Sequence, residues 1–336
     1  MKNTKIHGSK RGASADSPSE IPLKGWKDIL LRVKNQLGID HVKIVSAGVA
    51  FYFFLSLFPI ISVLISVYGL ITDPVEVENQ LAGALGSLPT DAADMVKNII
   101  KDTLSKSDST LGFSLLISIL LSLWSANSGT SSLFEGINIA YDEVDDRGFF
   151  KRTGITLAFT FGIILMGVLT IFLMAGFSSW IQGFDSELLK TVVTLLRWPL
   201  LAILISVGLA LLYKVAADRD DPEFKWVSWG SAIATLLWVA GTWAFSFYIE
   251  NFAGYTETYG NLAAVVILLL WLFLTSFIIL LGAEINSEME HQTAEDTTVG
   301  TDEPMGQRDA YHADHVAAGE TKAESEEQNS RGDVNN

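Results

Sequence analysis

The chain has 336 residues, of which 49% are hydrophobic and 18% charged, with mean hydropathy +0.33; a soluble domain carries roughly 25% charged residues. Cysteine is absent, which excludes a disulfide framework, a thiolate metal site and a cysteine nucleophile. The net charge of -15 is concentrated at one end, because residues 288–336 hold 13 acidic and 3 basic residues.

Residues 1–22 mix Lys, Ser, Gly and Pro without periodicity, a composition expected to stay disordered. Over 23–43, Trp26, Ile29, Leu30, Val33 and Leu37 recur at helical spacing with Lys24, Lys27, Arg32 and Lys34 between them. This pattern predicts an amphipathic cytoplasmic helix. It can pack on the rest of the chain, lie on an anionic leaflet, or do both.

Residues 44–287 read as an all-α transmembrane domain. Six stretches, about 47–71, 111–131, 154–177, 194–213, 227–249 and 261–283, are apolar over the roughly 20 residues a bilayer requires. Apart from Arg197 they hold no Asp, Glu, Lys, Arg or His, whereas soluble helices of that length carry a charged face. A small helical external cap is expected over 73–108, as two short helices split at Leu88-Pro89. The 288–336 tail has few apolar residues and Tyr311 as its one aromatic, so disorder is expected there, on the cytoplasmic side. Trp180, Trp198, Trp226 and Trp229 fall at expected span ends, as an aromatic belt requires.

Orientation follows from Lys and Arg, which resist translocation. Residues 1–46, the 132–153 loop, the 214–226 loop and the tail hold 18 of the 23, and the alternate segments hold 5. Both termini are therefore expected in the cytoplasm. The first apolar run starts beyond residue 40 and is too long for a cleavable signal.

The spans are nearly bare of ionisable groups, and HExxH, Walker A and GxSxG patterns are missing, so the residues of zinc hydrolysis, nucleotide-driven transport and serine hydrolysis are not in place. No cofactor, metal or enzymatic activity is expected. His312, His315, Asp309 and Asp314 lie in the tail and are not read as a metal site. The polar features stand out instead. Ser114, Ser118, Ser122, Ser125, Asn127 and Ser128 form a stripe on the second span that leads to Glu135; it reads either as close helix packing or as the wall of a solvated path. Pro59, preceded by Tyr52 and Ser56, interrupts the first span's hydrogen bonding. Arg197, with Trp198 and Pro199, opens the fourth span, where proline suits a first turn and arginine either anchors to headgroups or meets an anionic group. Tyr255 and Tyr259 lie in the last external loop, and Glu284 closes the sixth span, with Arg147, Lys151 or Arg152 as candidate partners.

Three stretches carry a family resemblance: Ala50-Phe51-Tyr52-Phe53-Phe54-Leu55-Ser56-Leu57-Phe58-Pro59, Arg197-Trp198-Pro199, and Tyr255-Thr256-Glu257-Thr258-Tyr259-Gly260-Asn261 running to Gly282-Ala283-Glu284-Ile285-Asn286. With them, residues 25–287 resemble the YihY/BrkB family of bacterial inner-membrane proteins. The resemblance implies a six-span fold. It leaves activity open, since members have carried ribonuclease BN and virulence labels and roles in lipid or solute export have been proposed. The ribonuclease label fits poorly: a nuclease needs clustered metal-binding carboxylates or a histidine pair on a basic surface, and the acidic tail repels nucleic acid.

The sequence thus points to a transporter or lipid/solute translocation protein of the bacterial cytoplasmic membrane, with a pathway between the first, second and sixth spans. Candidate contacts are Tyr52, Ser56, Pro59, Ser118, Ser122, Asn127, Glu135, Arg197, Tyr255, Tyr259 and Glu284. The expected partners are membrane lipids, or an anionic lipid or small solute, and no nucleic acid. The alternative is a non-transporting envelope scaffold or lipid-organising protein.

Overall fold

The structure, a computed structural model, describes residues 11–69, 112–171, 187–252 and 262–317. A 3-10 turn, Pro18–Glu20, precedes α1 (Leu23–Ile39), α2 (Val42–Gly69), α3 (Gly112–Ala140), α4 (Phe149–Ile171), α5 (Glu187–Ala216), α6 (Phe224–Phe252) and α7 (Ala263–Glu290), and a single helical turn follows at Tyr311–Asp314. Among the described residues there is no β-strand beyond one isolated bridge between Pro222 and Thr298. The chain is all-α, as expected.

The six expected spans map in order onto α2 to α7. By length and composition, four helices of the described residues can cross a membrane: α4, α5 from Trp198, α6 and α7. A fifth joins them if α1 and α2, which meet at 64°, form one bent span. Large apolar side chains on these helices face outward, among them Phe161, Leu165, Leu195, Ile203, Leu236 and Trp243. Water would not tolerate such a surface and hydrocarbon does.

The interior is built around α3 and α7. Helix α3 packs on α2, α4 and α7, while α7 also meets α1, α2 and α6. Val49, Leu133, Phe134, Ile137, Tyr213, Leu280 and Ala283 form the principal core, and Ile29, Val33, Trp226, Ile285 and Met289 a second one. Two glycine contacts set helix spacing. A Cβ on Gly230 of α6 would meet the Asn286 side chain and lie 2.6 Å from the Gly282 carbonyl of α7. In place of a side chain, the Gly230 N–H donates to Asn286 Oδ1 at 2.9 Å. At Gly129 of α3 a Cβ would lie 2.9 Å from the Phe53 ring of α2.

Ion pairs and hydrogen bonds knit one end of the bundle, the base. The α1/α2 junction, the 141–148 loop, the 217–223 loop and the end of α7 all meet there. Asn138 donates to the Ala216 carbonyl at 3.3 Å, the Asp146 N–H to Asp218 at 2.9 Å, and Arg147 to the carbonyls of Val215 (3.1 Å) and Ala216 (2.7 Å). Arg219 pairs with Glu290 at 2.8 Å with both side chains fully buried, and its guanidinium lies 4.6 Å from the Tyr141 ring centre.

Four expectations change on the structure. Disorder was expected from residue 288, yet residues 291–317 are folded against the base. The N–H groups of Glu223 and Asp220 donate to Thr297 (2.9 Å) and Asp309 (3.0 Å), and the Tyr311 N–H donates to Glu143 at 2.7 Å. Arg308, buried, donates to the carbonyls of Ala294, Glu295, Glu303 and Ala313. Disorder was also expected for 1–22, but residues 11–22 bury Ala13, Ala15 and Ile21 and run beside the tail, with Ala294 N–H donating to Ala13 and Thr293 Oγ1 to Ala15. In both segments the ordering cost is offset by backbone hydrogen bonding, which an apolar count does not register. Trp226, expected at the interface, is fully buried in the second core; Trp229 is the exposed one and packs 5.9 Å from Trp26. Pro199 sits inside α5, which starts at Glu187 rather than beside the proline.

The basic helix α1 packs on the bundle through one face. Ile29 and Val33 are buried against α7, and Leu23, Leu30, Leu31 and Ile39 stay exposed.

Candidate functional site

A cavity of about 590 Å³ lies between α2, α3 and the start of α4, within the range of roughly 300–1,000 Å³ of small-molecule sites. Helix α2 contributes Tyr52. Helix α3 contributes Trp124, Asn127, Ser128, Ser131, Ser132 and Glu135, and α4 contributes Phe149, Arg152, Thr153 and Thr156. At 1.5 Å of rise per residue, Glu135 lies about 8 Å from the basal end of α3 and Asn127 about 20 Å from it. The cavity therefore runs from the base toward the bundle middle.

Its polar wall follows from spacing on α3. Positions 124, 127, 128, 131 and 135 fall three or four apart and share one helix face, which presents Trp, Asn, Ser, Ser and Glu. The opposite face, with Leu133, Phe134 and Ile137, is buried in the core. Hydroxyls tie the wall to α4: Asn127 Nδ2 donates to Ser131 at 3.2 Å, and the Thr160 hydroxyl lies within reach of Asn127 Oδ1 (3.2 Å), Thr130 (2.8 Å) and its own helix's Thr156 carbonyl (2.8 Å).

The charged end of the cavity is an ion pair. Arg152 Nη2 meets Glu135 Oε2 at 2.6 Å, with side chains 36% and 57% exposed. Arg152 Nε also lies 3.3 Å from Asp145, which Arg147 already holds at 2.7 and 3.1 Å. Burial pushes the Asp145 carboxyl up, and the hydrogen bonds and charge of Arg147 more than reverse this, holding it below the ordinary aspartate range. Asp145 is thus firmly ionised and bound to Arg147. Glu135 and Arg152 are the adjustable pair.

Of the expected contacts, Tyr52, Asn127 and Glu135 line this cavity. Ser56 is buried behind it; its hydroxyl donates to the Tyr52 carbonyl at 2.7 Å and accepts from the Gly129 N–H at 3.2 Å, so it joins α2 to α3. Pro59 is half-buried within α2, which runs on to Gly69, and Ser122 is half-buried on α3. Ser118 and Arg197 lie on α3 and α5, but their side chains are outside the described residues, as are Tyr255, Tyr259 and the 73–108 cap. Sequence reasoning missed Arg152 and Trp124 as wall residues. The signal for Arg152 was its position one turn into α4, beside the loop that brings α4 back to α3.

Glu284 is elsewhere, at the base, and fully buried. Its expected partners were Arg147, Lys151 or Arg152; instead the carboxyl faces Asp40 from the α1/α2 junction, and neither of its oxygens has a hydrogen-bond partner of good geometry among the described residues. Burial, then the charge of Asp142, pushes Asp40 above the usual aspartate range.

Where the tail docks on the 141–148 loop, two titratable groups are shifted. Burial pushes Glu143 up to about 7, against the Tyr311 hydrogen bond and the charge of Arg219. His312 Nε2 lies 3.1 Å from Asp142 in the closed interior, and burial holds this histidine below its ordinary value. Among the described residues no three His, Asp or Glu side chains form a group able to hold a metal ion.

These features define a class: a multi-pass helical membrane protein with a polar cavity among its helices. The profile of the Virulence factor BrkB family matches residues 34–305, and the chain belongs to that family. Three relatives show its range. The putative ribonuclease-like protein YfkH of Bacillus subtilis is 29% identical over 248 residues, 72% of this chain and 88% of its own. A UPF0761 membrane protein of Cronobacter sakazakii is 25% identical over 275 residues, 79% and 88% of the two chains. The UPF0761 membrane protein VV1_0885 of Vibrio vulnificus is 34% identical over 155 residues, 45% and 48% of the two chains. No solved structure matches the chain.

Proposed function

We propose that this protein translocates a lipid or amphipathic solute in the bacterial cytoplasmic membrane, with the base of the bundle and both termini in the cytoplasm. The observation that carries this reading is the cavity between α2, α3 and α4: a polar wall with a charged end, set in a bundle whose outer surface is apolar. The pathway drawn from sequence lay between the first, second and sixth spans. The cavity favours the third span, α4, in place of the sixth, because α7 meets the opposite, close-packed face of α3. The orientation rests on the Lys and Arg count, and the described loops that carry those residues all lie at the base.

Catalysis has no comparable support. The ribonuclease-like name belongs to the Bacillus relative, and among the described residues Arg147 and Arg219 are engaged by carboxylates at the base.

The test is lipid or solute flux across proteoliposomes. Replacing Asn127 and Ser131 together by Leu fills the wall with apolar bulk while leaving the core face of α3 intact. Flux should fall at least tenfold with helicity and gel-filtration behaviour unchanged. Wild-type flux in the variant would refute the cavity as a path.

A further inference from the structure

Resting on that reading of the cavity, we propose that its ligand is a dipolar headgroup that carries a phosphate and a primary ammonium a few bonds apart, as in phosphatidylethanolamine: Arg152 takes the phosphate and Glu135 the ammonium.

The argument starts from the ion pair already in place. A lone anion that drew Arg152 away would leave Glu135 without its cation. A lone cation on Glu135 would leave Arg152 facing only Asp145, which Arg147 already holds. Either exchange trades a satisfied pair for one charge left to water alone, a small but real loss at a partly exposed site. A headgroup carrying both signs replaces the internal pair with two external ones and conserves charge. The partial exposure of both side chains gives them room to part.

The remaining wall fits this class. Arginine presents a fork of N–H donors suited to phosphate oxygens. Asn127, Ser128, Ser131 and Thr153 supply neutral donors and acceptors for glycerol and ester oxygens. Tyr52 and Phe149 bring aromatic faces to the same space, and a ring face favours a bound ammonium. The chemistry is also that of free glycerophosphoethanolamine, but the surroundings favour the lipid: Phe51 and Leu55 on α2 and Leu120 and Leu121 on α3 stand exposed on two of the three helices that form the cavity, a surface for acyl chains.

The experiment uses the full chain in nanodiscs of equimolar phosphatidylethanolamine and phosphatidylglycerol, with retained lipid counted by native mass spectrometry. Wild type should retain phosphatidylethanolamine about two- to fivefold over phosphatidylglycerol, the loss of one partly exposed ion pair. Glu135→Gln should bring the ratio to about one by raising phosphatidylglycerol retention, and Arg152→Gln should lose both lipids. The exchange E135R/R152E, which keeps a pair, should recover the preference that either single reversal destroys. Millimolar glycerophosphoethanolamine as competitor separates the sources: retention that persists assigns the site to the lipid, and displacement assigns it to the free headgroup, with the dipole supported in both. Equal retention of the two lipids by wild type, or a preference unchanged in Glu135→Gln with intact helicity, overturns the proposal. Flux that treats both lipids alike refutes this ligand and leaves the proposed function standing; a lipid preference without flux of any lipid does the reverse.

Discussion

Two Arg–Glu pairs of nearly equal length occupy different worlds in this molecule. Arg219 and Glu290, 2.8 Å apart, are 0% exposed at the base, with Thr297 donating to the same carboxylate at 2.9 Å. Arg152 and Glu135, 2.6 Å apart, stand at the cavity with more than a third of each side chain exposed. The base pair is surrounded by the tail, Tyr141 and the loop at 217–223, so neither member can find another partner without unfolding its surroundings. The cavity pair can release and re-form at little cost. Identical chemistry is structural in one place and available to a ligand in the other, and burial makes the difference.

The largest expected effect follows at the base. Arg219→Ala leaves Glu290 charged, buried and unpaired, which costs about 3–5 kcal/mol; a fall in thermal midpoint and loss of the 291–317 segment to proteolysis would be seen. A variant as stable as wild type would remove the contrast. Next is Gly230→Ala, where the new methyl meets the Gly282 backbone carbonyl, which cannot rotate away. Overpacking of this kind costs about 1–3 kcal/mol, and the α6–α7 contact should loosen in a thermal-shift assay.

The tail's pH response is smaller and has two opposing parts. Glu143 is raised to about 7 when docked. Its contribution is therefore fully present below the free glutamate value of about 4.3 and is lost as pH rises through 7. His312 is lowered, so its contribution holds above the free histidine value of about 6.5 and is lost as pH falls below it. In His312→Asn, hydrogen-exchange protection in the tail, corrected for the intrinsic rate at each pH, should rise as pH drops from 7.5 to 5. In Glu143→Gln that protection should fall over the same interval. The smallest effect belongs to the cavity: Glu135→Gln should change stability by less than about 1 kcal/mol, measured by the same thermal shift. A larger loss would make this pair as structural as the one at the base.

What could be read from the sequence divides along the same line. The helices of the bundle were legible because hydrocarbon imposes a strong rule, 20 residues without charge, and the polar face of α3 was legible through its three- and four-residue spacing. Which helix covers that face was not, since periodicity identifies a face and says nothing of the neighbour; α4 in place of the sixth span is the result. The docked tail was hidden for a different reason. Arg308 is held by four backbone carbonyls and Tyr311 docks through its N–H on Glu143, and such bonds leave no trace in composition. Glu284 looked like one half of an ion pair and proved to face another acid, because Arg147 is engaged by Asp145 and Arg152 by Glu135, carboxylates closer to them in the chain.

The bond from the Gly129 amide to the Ser56 hydroxyl, with Phe53 against Gly129 where a side chain would otherwise stand, clasps the backbone of α3 to a side chain of α2. Two rods held this closely are expected to move as a single body, so that any breathing of the space they share with α4 comes from the third. We predict that spin labels across α2 and α3 report one narrow distance in every condition, while a label pair bridging α3 and α4 broadens when lipid is exchanged; equal spread in both pairs would place the hinge elsewhere.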